Sequence, residues 1–267
     1  MKIKQRIKEI KPIKLYLKGK HLEKNPTYIA GKTYLEDRYI NLGLTKGEDE
    51  LKKIPTRTQI LNYLLQQLDR ECNYLEIGVR FPEDNYNHIE AKNKFSVDPG
   101  IENAENPVDF KMTSDVFFDS IANGNILQKD IKFDVIFIDG LHLAHQVDKD
   151  IRNSLEYIKD DGFIVMHDCN PPTEWHARET FAFSLSPANV SWNGTTWKAF
   201  YKWRCKKEVF SCCIDSDWGV GIISKTQDLG KNTMASNPFF EFHEFNANRK
   251  DALNLISFND LKQLLKK

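Results

Sequence analysis

Two continuous apolar runs joined by one amphipathic pattern constrain this chain more than any other stretch. Val135, Ile136, Phe137 and Ile138 form the first run. Apolar residues at every position, with no polar alternation, describe a strand buried on both faces of a parallel sheet. The run stops at Asp139-Gly140. Leu143, Val147, Ile151, Leu155 and Ile158 then recur at helical spacing, with Asp148, Lys149, Asp150 and Arg152 between them. Gly162 stands where a helix-ending glycine is expected. Residues 163–166 form the second buried run, which ends at His167-Asp168. A strand–helix–strand crossover of this length makes the two strands parallel, with a right-handed connection. Ligands of such sheets sit outside the carboxyl ends of the strands. Asp139, His142, His167 and Asp168 are therefore expected to face one crevice.

The bulk properties narrow the class. Lys+Arg and Asp+Glu both number 38 in 267 residues, so no global basic field points to nucleic acid. No apolar run approaches the roughly 18 residues of a membrane span. The basic N-terminus lacks the apolar centre of a signal peptide. Cys72, Cys169, Cys205, Cys212 and Cys213 are odd in number and have no CxxC spacing. Reduced thiols in a cytoplasmic protein are the expected reading.

The chain divides into a basic, helical extension (residues 1–55), a central α/β domain (56–230) and an appended loop and helix (231–267). In the extension, eight lysines and arginines stand against Glu9 alone within the first twenty residues. Ile3, Ile7 and Ile10 suggest a short amphipathic helix broken near Pro12. The segment reads as a solvated tail or as a foothold on an anionic membrane face or a polyanionic partner. Residues 28–44 suggest a helical flap. Thr56 or Thr58 can cap a helix whose inner face is Ile60, Leu61, Leu64, Leu65 and Leu68.

Residues 74–79 and 94–97 are expected as strands, the second followed by Asp98-Pro99-Gly100. Glu76-x-Gly78 with an acid at the next strand end is a nucleoside-binding arrangement. The glycine admits a ligand to the backbone, and Asp98 can accept from ribose hydroxyls. No glycine recurs between Gly78 and Gly100. A dinucleotide's pyrophosphate needs closely approaching backbone N–H groups. The pattern therefore favours S-adenosylmethionine (SAM) over NAD. Residues 108–112 read as a third strand. Ser114 and Asp115 after it can contact an adenine or serve as a helix cap and first-turn acid. Beyond Asp168, Trp175 and Trp192 lie in loop-like sequence and can face a substrate, as part of an aromatic stretch that includes Phe181 and Phe183. Trp197, Phe200 and Tyr201 have the helical spacing of core residues. Residues 209–215 and 218–224 read as a hairpin that closes the sheet.

Taken together, YLEIGV, FSVDPG, FDVIFIDGLH and DDGFIVMHDCNPP resemble the class I SAM-dependent methyltransferases. The likeness is narrower to a bacterial subgroup with IDG-x-H and HDC-N-P at the strand ends. It covers roughly residues 56–226. It implies a doubly wound, Rossmann-like α/β sheet of seven strands, mostly parallel with one antiparallel strand, and helices on both faces. It also implies Glu76 and Gly78 near the methionine part of SAM and Asp98 near the ribose; Ser114, Asp115 and Asp139 are the further residues expected on the cofactor side.

Two mechanisms fit the crevice. In one, Mg²⁺ or Mn²⁺ bridges Asp139 and Asp168 and activates an acceptor hydroxyl. In the other, His142 or His167 is the general base, tuned by a neighbouring carboxylate. The expected activity is O-methylation of a small polar molecule or saccharide. The rival readings are a nucleotide- or NAD-dependent sugar-modifying enzyme and a non-catalytic SAM-fold module that binds a partner.

Overall fold

The structure is a computed structural model that describes residues 11–182, 186–234 and 236–266. Its centre is a seven-stranded sheet in the order β2-β1-β3-β4-β6-β5-β7. The strands are β1 (Asn73–Ile77), β2 (Asn93–Val97), β3 (Phe133–Ile138), β4 (Ile158–Met166), β5 (Phe210–Ile214), β6 (Val220–Ser224) and β7 (Leu255–Ile256). β6 runs antiparallel to β4 and β5, and every other pair is parallel. The expected sheet of seven strands with one reversed is therefore present.

All six residues of β3 are buried, as its unbroken apolar run requires. Alternate side chains go to opposite faces. Ile136 and Ile138 join Ile77, Ile164 and Met166 in one core, closed by Phe117, Val147, Ile151, Trp197 and Phe200. Those residues come from α5 (Ser114–Asn123), α6 (Ala144–Tyr157) and α7 (Thr196–Arg204). Val135 and Phe137 join Tyr74, Phe163, Val165 and Ile222 on the other face. That face is closed by Ile60, Leu61, Leu64 and Leu65 of α4 (Arg57–Gln67) and by Leu261 of α10 (Phe258–Leu264). Thr56 caps α4, and the Gln59 side chain accepts the Thr56 N–H at 3.0 Å. Trp197, Phe200 and Tyr201 are core residues, as their spacing predicts.

The structure corrects two expectations. Residues 108–112 do not form a strand, and Val97 and Phe110 make an isolated bridge there. The Asp109 carboxylate accepts the Ser96 N–H at 2.9 Å and the Ser96 hydroxyl at 2.8 Å. A side chain thus takes a place in the ladder that a strand carbonyl would fill. The seventh strand is instead β7, from the appended C-terminal segment, paired with β5. Gly162 does not end a helix. α6 stops at Tyr157 and passes directly into β4, with Gly162 inside the strand. A Cβ there would stand 2.6 Å from the Asp134 carbonyl oxygen, beside a register shift in the β3–β4 pairing. Pro12 lies near the start of α1 (Lys11–Leu22), where a missing N–H is least costly; the helix expected to end there falls outside the described residues. Ile3, Ile7, Ile10 and Phe183 lie outside the described residues.

α2 (Pro26–Glu36) and α3 (Arg38–Leu51) realise the expected flap. α3 docks through Gly43, where a Cβ would meet the Pro187 carbonyl oxygen at 2.2 Å. Next to the appended strand and α10, α8 (Phe242–Ala247) and α9 (Arg249–Leu253) complete the C-terminal segment, and Leu253 and Leu261 are fully buried. Among the described residues, no helix is long and apolar enough to cross a membrane.

Candidate active site

Adjacent parallel strands that end at the same level deliver their next residues to one place. β3 is followed by Asp139, and β4 by His167 and Asp168. His142 returns to the same point from the turn before α6. Its Nε2 lies 3.4 Å from Asp139 Oδ1, and its Nδ1 lies 3.0 Å from Asp168 Oδ2. His167 Nδ1 lies 3.2 Å from Asp139 Oδ1, and its Nε2 lies 3.1 Å from Asp217 Oδ1. The four residues expected in one crevice are therefore together.

The sequence reading missed three members. Arg57, the first residue of α4, places Nε 3.8 Å from Asp139 and Nη1 3.5 Å from Asp217, and its backbone N–H donates to Asp217 Oδ2 at 2.6 Å. Asp217 had been read only within the turn of the β5–β6 hairpin. Asn193, fully buried in the loop after β4, donates to Asp168 Oδ1 at 2.7 Å. No local signal marks any of them, because each reaches the site through the tertiary fold.

The loop that carries Asn193 is fastened to His142. The Thr195 N–H donates to the His142 carbonyl at 2.7 Å, and the Ala144 N–H donates to Thr195 Oγ1 at 2.8 Å. Trp192 stacks on the His142 ring, with centroids 5.2 Å apart and planes 19° apart. Trp192 therefore does face the crevice. Trp175 packs on Tyr39 of α3, at a centroid distance of 5.6 Å. Asp168 itself has φ +61°, a left-handed conformation that costs a residue with a Cβ about 1 kcal/mol or more and clusters at functional sites. Bonds from the Cys169 N–H to Gly219 O and from the Asn170 N–H to Trp218 O, both 2.9 Å, hold it there.

Three carboxylates face three basic groups in this cluster. Burial opposes charge on His142, but Asp168 and the bond to Asp139 raise its pKa to about 9. His167 is likewise raised despite burial, by Asp139 and Asp168. Burial would raise the Asp139 carboxyl, yet His167 and His142 hold it well below the usual carboxylate range. With only its own residues present, the neighbouring carboxylates thus favour the protonated form of both imidazoles.

The donor set also suits a cation. One ligand atom from each of Asp139, His142 and Asp168 lies within 4.8 Å of the other two. Ligands about 2.1 Å from one octahedral ion stand about 3 Å apart when adjacent. The Trp192 carbonyl, 3.1 Å from His142 Nδ1, is the kind of partner that orients a ligating imidazole.

The cofactor-side residues are distributed differently. Glu76 is 3 % exposed and accepts from the Tyr74 hydroxyl at 2.5 Å and from Asn85 at 2.9 Å. Burial raises its pKa to about 7 against those two bonds. Gly78 has φ +94°, and a Cβ would stand 2.3 Å from the Asp139 carbonyl oxygen. Its missing side chain thus admits the β3 backbone. Asp98 Oδ1 accepts from the Gly100 N–H at 2.6 Å and from Asn106 at 3.1 Å. Among the described residues its Oδ2 has no partner. Ser114 and Asp115 are drawn to α6 instead. Ser114 donates to Asp150 at 2.6 Å, and Asp115 accepts from Gln146 and Lys149, each at 3.0 Å.

A cavity of about 600 Å³ adjoins the segment leaving β4, with Asn170, Thr173 and Trp175 on one wall and Glu50, Lys53 and Arg249 among the others. His176, although fully buried, is not part of the charged cluster. Its Nδ1 lies 2.7 Å from Thr173 Oγ1, and burial lowers its pKa to about 4.

Residues 62–169 match the family model described as "Methyltransferase domain". No curated protein matches the chain. Among solved structures, an O-methyltransferase from Bacillus cereus in complex with SAH is 15 % identical. That alignment covers 71 % of this chain and 92 % of that one, with a TM-score of 0.40. An O-methyltransferase from Streptomyces achromogenes involved in tomaymycin synthesis, in complex with SAM, is 12 % identical. It covers 72 % of this chain and 91 % of that one, with a TM-score of 0.38.

Proposed function

From the match of residues 62–169 to a methyltransferase-domain model, we propose that the chain is a class I, SAM-dependent O-methyltransferase acting on a hydroxyl of a small polar molecule or saccharide. The observation that carries the proposal is the convergence of Asp139, His142 and Asp168 at the ends of two adjacent parallel strands.

Methyl transfer to a hydroxyl requires alignment of the acceptor oxygen and removal of its proton. Asp139, His142 and Asp168 are the residues that would hold Mg²⁺ or Mn²⁺, and a bound cation would supply a Lewis acid that lowers the pKa of that hydroxyl. Asn193 fixes the Asp168 carboxylate, and Trp192 and its carbonyl fix the His142 ring. Arg57 and His167 balance the charge of Asp139 and Asp217, so the carboxylates stay ionised in a partly buried cluster.

On the cofactor side, Asp98 Oδ2, without a partner among the described residues, suits a ribose hydroxyl, and Glu76 suits the cationic methionine end of SAM. A nucleobase contact by the side chains of Ser114 and Asp115 would have to displace Gln146. Gly78 serves the close approach of the parallel β1 and β3 ends, and the lack of a second glycine before Gly100 counts against a dinucleotide.

The test is calorimetric titration of S-adenosylhomocysteine into the full chain, with Mg²⁺ and then with excess chelator. Binding in both conditions is expected. Absence of binding in both would remove the cofactor reading and leave a resemblance of fold alone.

A further inference from the structure

The first described helix lies outside everything that the crevice explains. Among residues 14–33, every one is exposed, and α2 has no buried residue. α1 leaves Leu15 62 %, Tyr16 63 %, Leu17 42 % and Leu22 49 % exposed. A 12-residue helix that buries no face is marginal in water. Its helical state therefore calls for a surface to lie on.

Its charge indicates which surface. The segment KPIKLYLKGKHL has no acid, and Lys14, Lys18 and Lys20 form no ion pair among the described residues. The sequence before it adds Lys2, Lys4, Arg6 and Lys8 against Glu9 alone. The whole chain is neutral, so this end concentrates a positive charge that the rest of the chain opposes. Lys14 and Lys18 share one helical face, and Ile13 and Leu17 share the adjoining one. Long lysine stems can keep their ammonium groups in the headgroup layer while neighbouring aliphatic side chains sink below it.

We infer that α1 docks on an anionic lipid bilayer and holds the methyltransferase domain at that surface. A bilayer satisfies both features at once. Lipid phosphates meet the lysines, the headgroup boundary takes Ile13, Tyr16 and Leu17 from one side of the helix, and no shape-matched groove is needed. A nucleic acid would meet the lysines and leave Leu15, Leu17 and Leu22 in water.

The test is co-sedimentation of the full chain with vesicles of phosphatidylcholine, alone or mixed with phosphatidylglycerol. Binding is expected only to the mixed vesicles and should weaken as salt rises. The Lys14→Gln/Lys18→Gln double variant should bind about thirty-fold more weakly, since each lysine near an anionic surface contributes roughly a factor of five. Leu15→Ser/Leu17→Ser should weaken binding as well. Both variants should bind S-adenosylhomocysteine like the parent chain, which controls for folding. Equal binding to neutral vesicles, or none to either, overturns the inference. A doubled mass in solution that Leu15→Ser/Leu17→Ser abolishes, without vesicle binding, assigns the arm to a second copy and overturns it too. So does tight binding to RNA that the leucine changes leave untouched.

Discussion

His142 Nδ1 lies 3.0 Å from Asp168 Oδ2, and the same nitrogen lies 3.1 Å from the Trp192 carbonyl oxygen. A ring nitrogen flanked by two acceptors carries hydrogen. The other nitrogen, Nε2, is turned toward Asp139 at 3.4 Å. The loop after β4 thus sets the orientation of a histidine from the loop after β3. The next strand over is involved as well, because Asp217 holds His167 by its far nitrogen.

If Asp139, His142 and Asp168 form a cation site, loss of one carboxylate should abolish it, and loss of its orienting partner should weaken it. Asp168→Asn is expected to weaken Mn²⁺ binding at least 100-fold. Asn193→Ala should weaken it about 10- to 100-fold, the range for outer partners of metal ligands. Manganese electron paramagnetic resonance, read as free ion against protein concentration, measures both. Equal Mn²⁺ affinity in wild type and Asp168→Asn would remove the site. S-adenosylhomocysteine affinity reports whether each variant keeps its fold.

Arg57 stands between Asp139 and Asp217 and is 23 % exposed at its side chain. Arg57→Gln leaves Asp139 and Asp217 with His167 as the one basic group they still share. The expected loss is about 2–3 kcal/mol, below the 3–5 kcal/mol of a fully buried pair because water still reaches the group. Arg57→Lys should recover only part, since an ammonium cannot span both partners as a guanidinium does. Urea unfolding midpoints of the three proteins give the answer. A loss below about 0.5 kcal/mol in Arg57→Gln would mean that His167 and water already satisfy the two acids.

The sheet was largely legible in the sequence, and the cluster only partly. β3 and β4 announce themselves because strands covered on both faces tolerate no polar alternation. Asp139, His167 and Asp168 then follow from topology, since a strand end needs no further information to be placed. Arg57, Asn193 and Asp217 do not follow, because a helix start, a long loop and a hairpin turn reach the crevice only through packing. The third strand was misread for a different reason. Residues 108–112 have the residue types of a strand, but the Asp109 side chain pairs with Ser96 and limits the ladder to one bridge. The glycine of the first strand was read as room for a ligand, and the β3 backbone occupies that room.

Glu76 should make stability depend on pH in a defined window. Its pKa is raised from the model-compound value to about 7 by burial. A folded-state pKa above the unfolded one stabilises the protein fully below about pH 4.5. That contribution is lost as pH rises through about 7, because the unfolded chain releases the proton first. The loss is on the order of 3 kcal/mol. Glu76→Gln removes this term and leaves the other titrating groups in place. The stability of wild type minus that of the variant should therefore fall between pH 4.5 and 8, as read from urea unfolding at several pH values. A difference that is flat with pH would mean that Glu76 is ionised in the folded protein.

The close approach of the β1 and β3 ends can be tested with two glycines that face each other. A Cβ at Gly78 would stand 2.3 Å from the Asp139 carbonyl oxygen and 2.4 Å from the Gly140 Cα, and Gly78 has φ +94°. Gly78→Ala must therefore part the two strand ends that carry Asp139, or strain the backbone, or both. Gly140 differs, since a Cβ there would meet the Gly78 Cα and an Ile77 methyl at 3.7 Å, which is ordinary contact. The expected cost of Gly78→Ala is about 3 kcal/mol or more, and that of Gly140→Ala is under about 1 kcal/mol. In a chain of this size the first change should lower the thermal midpoint by roughly 6–12 °C and the second by no more than about 4 °C. Because the Asp139 backbone is the group displaced, Gly78→Ala should also weaken Mn²⁺ binding under conditions in which the variant remains folded, and Gly140→Ala should not. Equal effects of the two substitutions would mean that the strand ends yield without disturbing the site, and that the glycine is not what holds Asp139 in place.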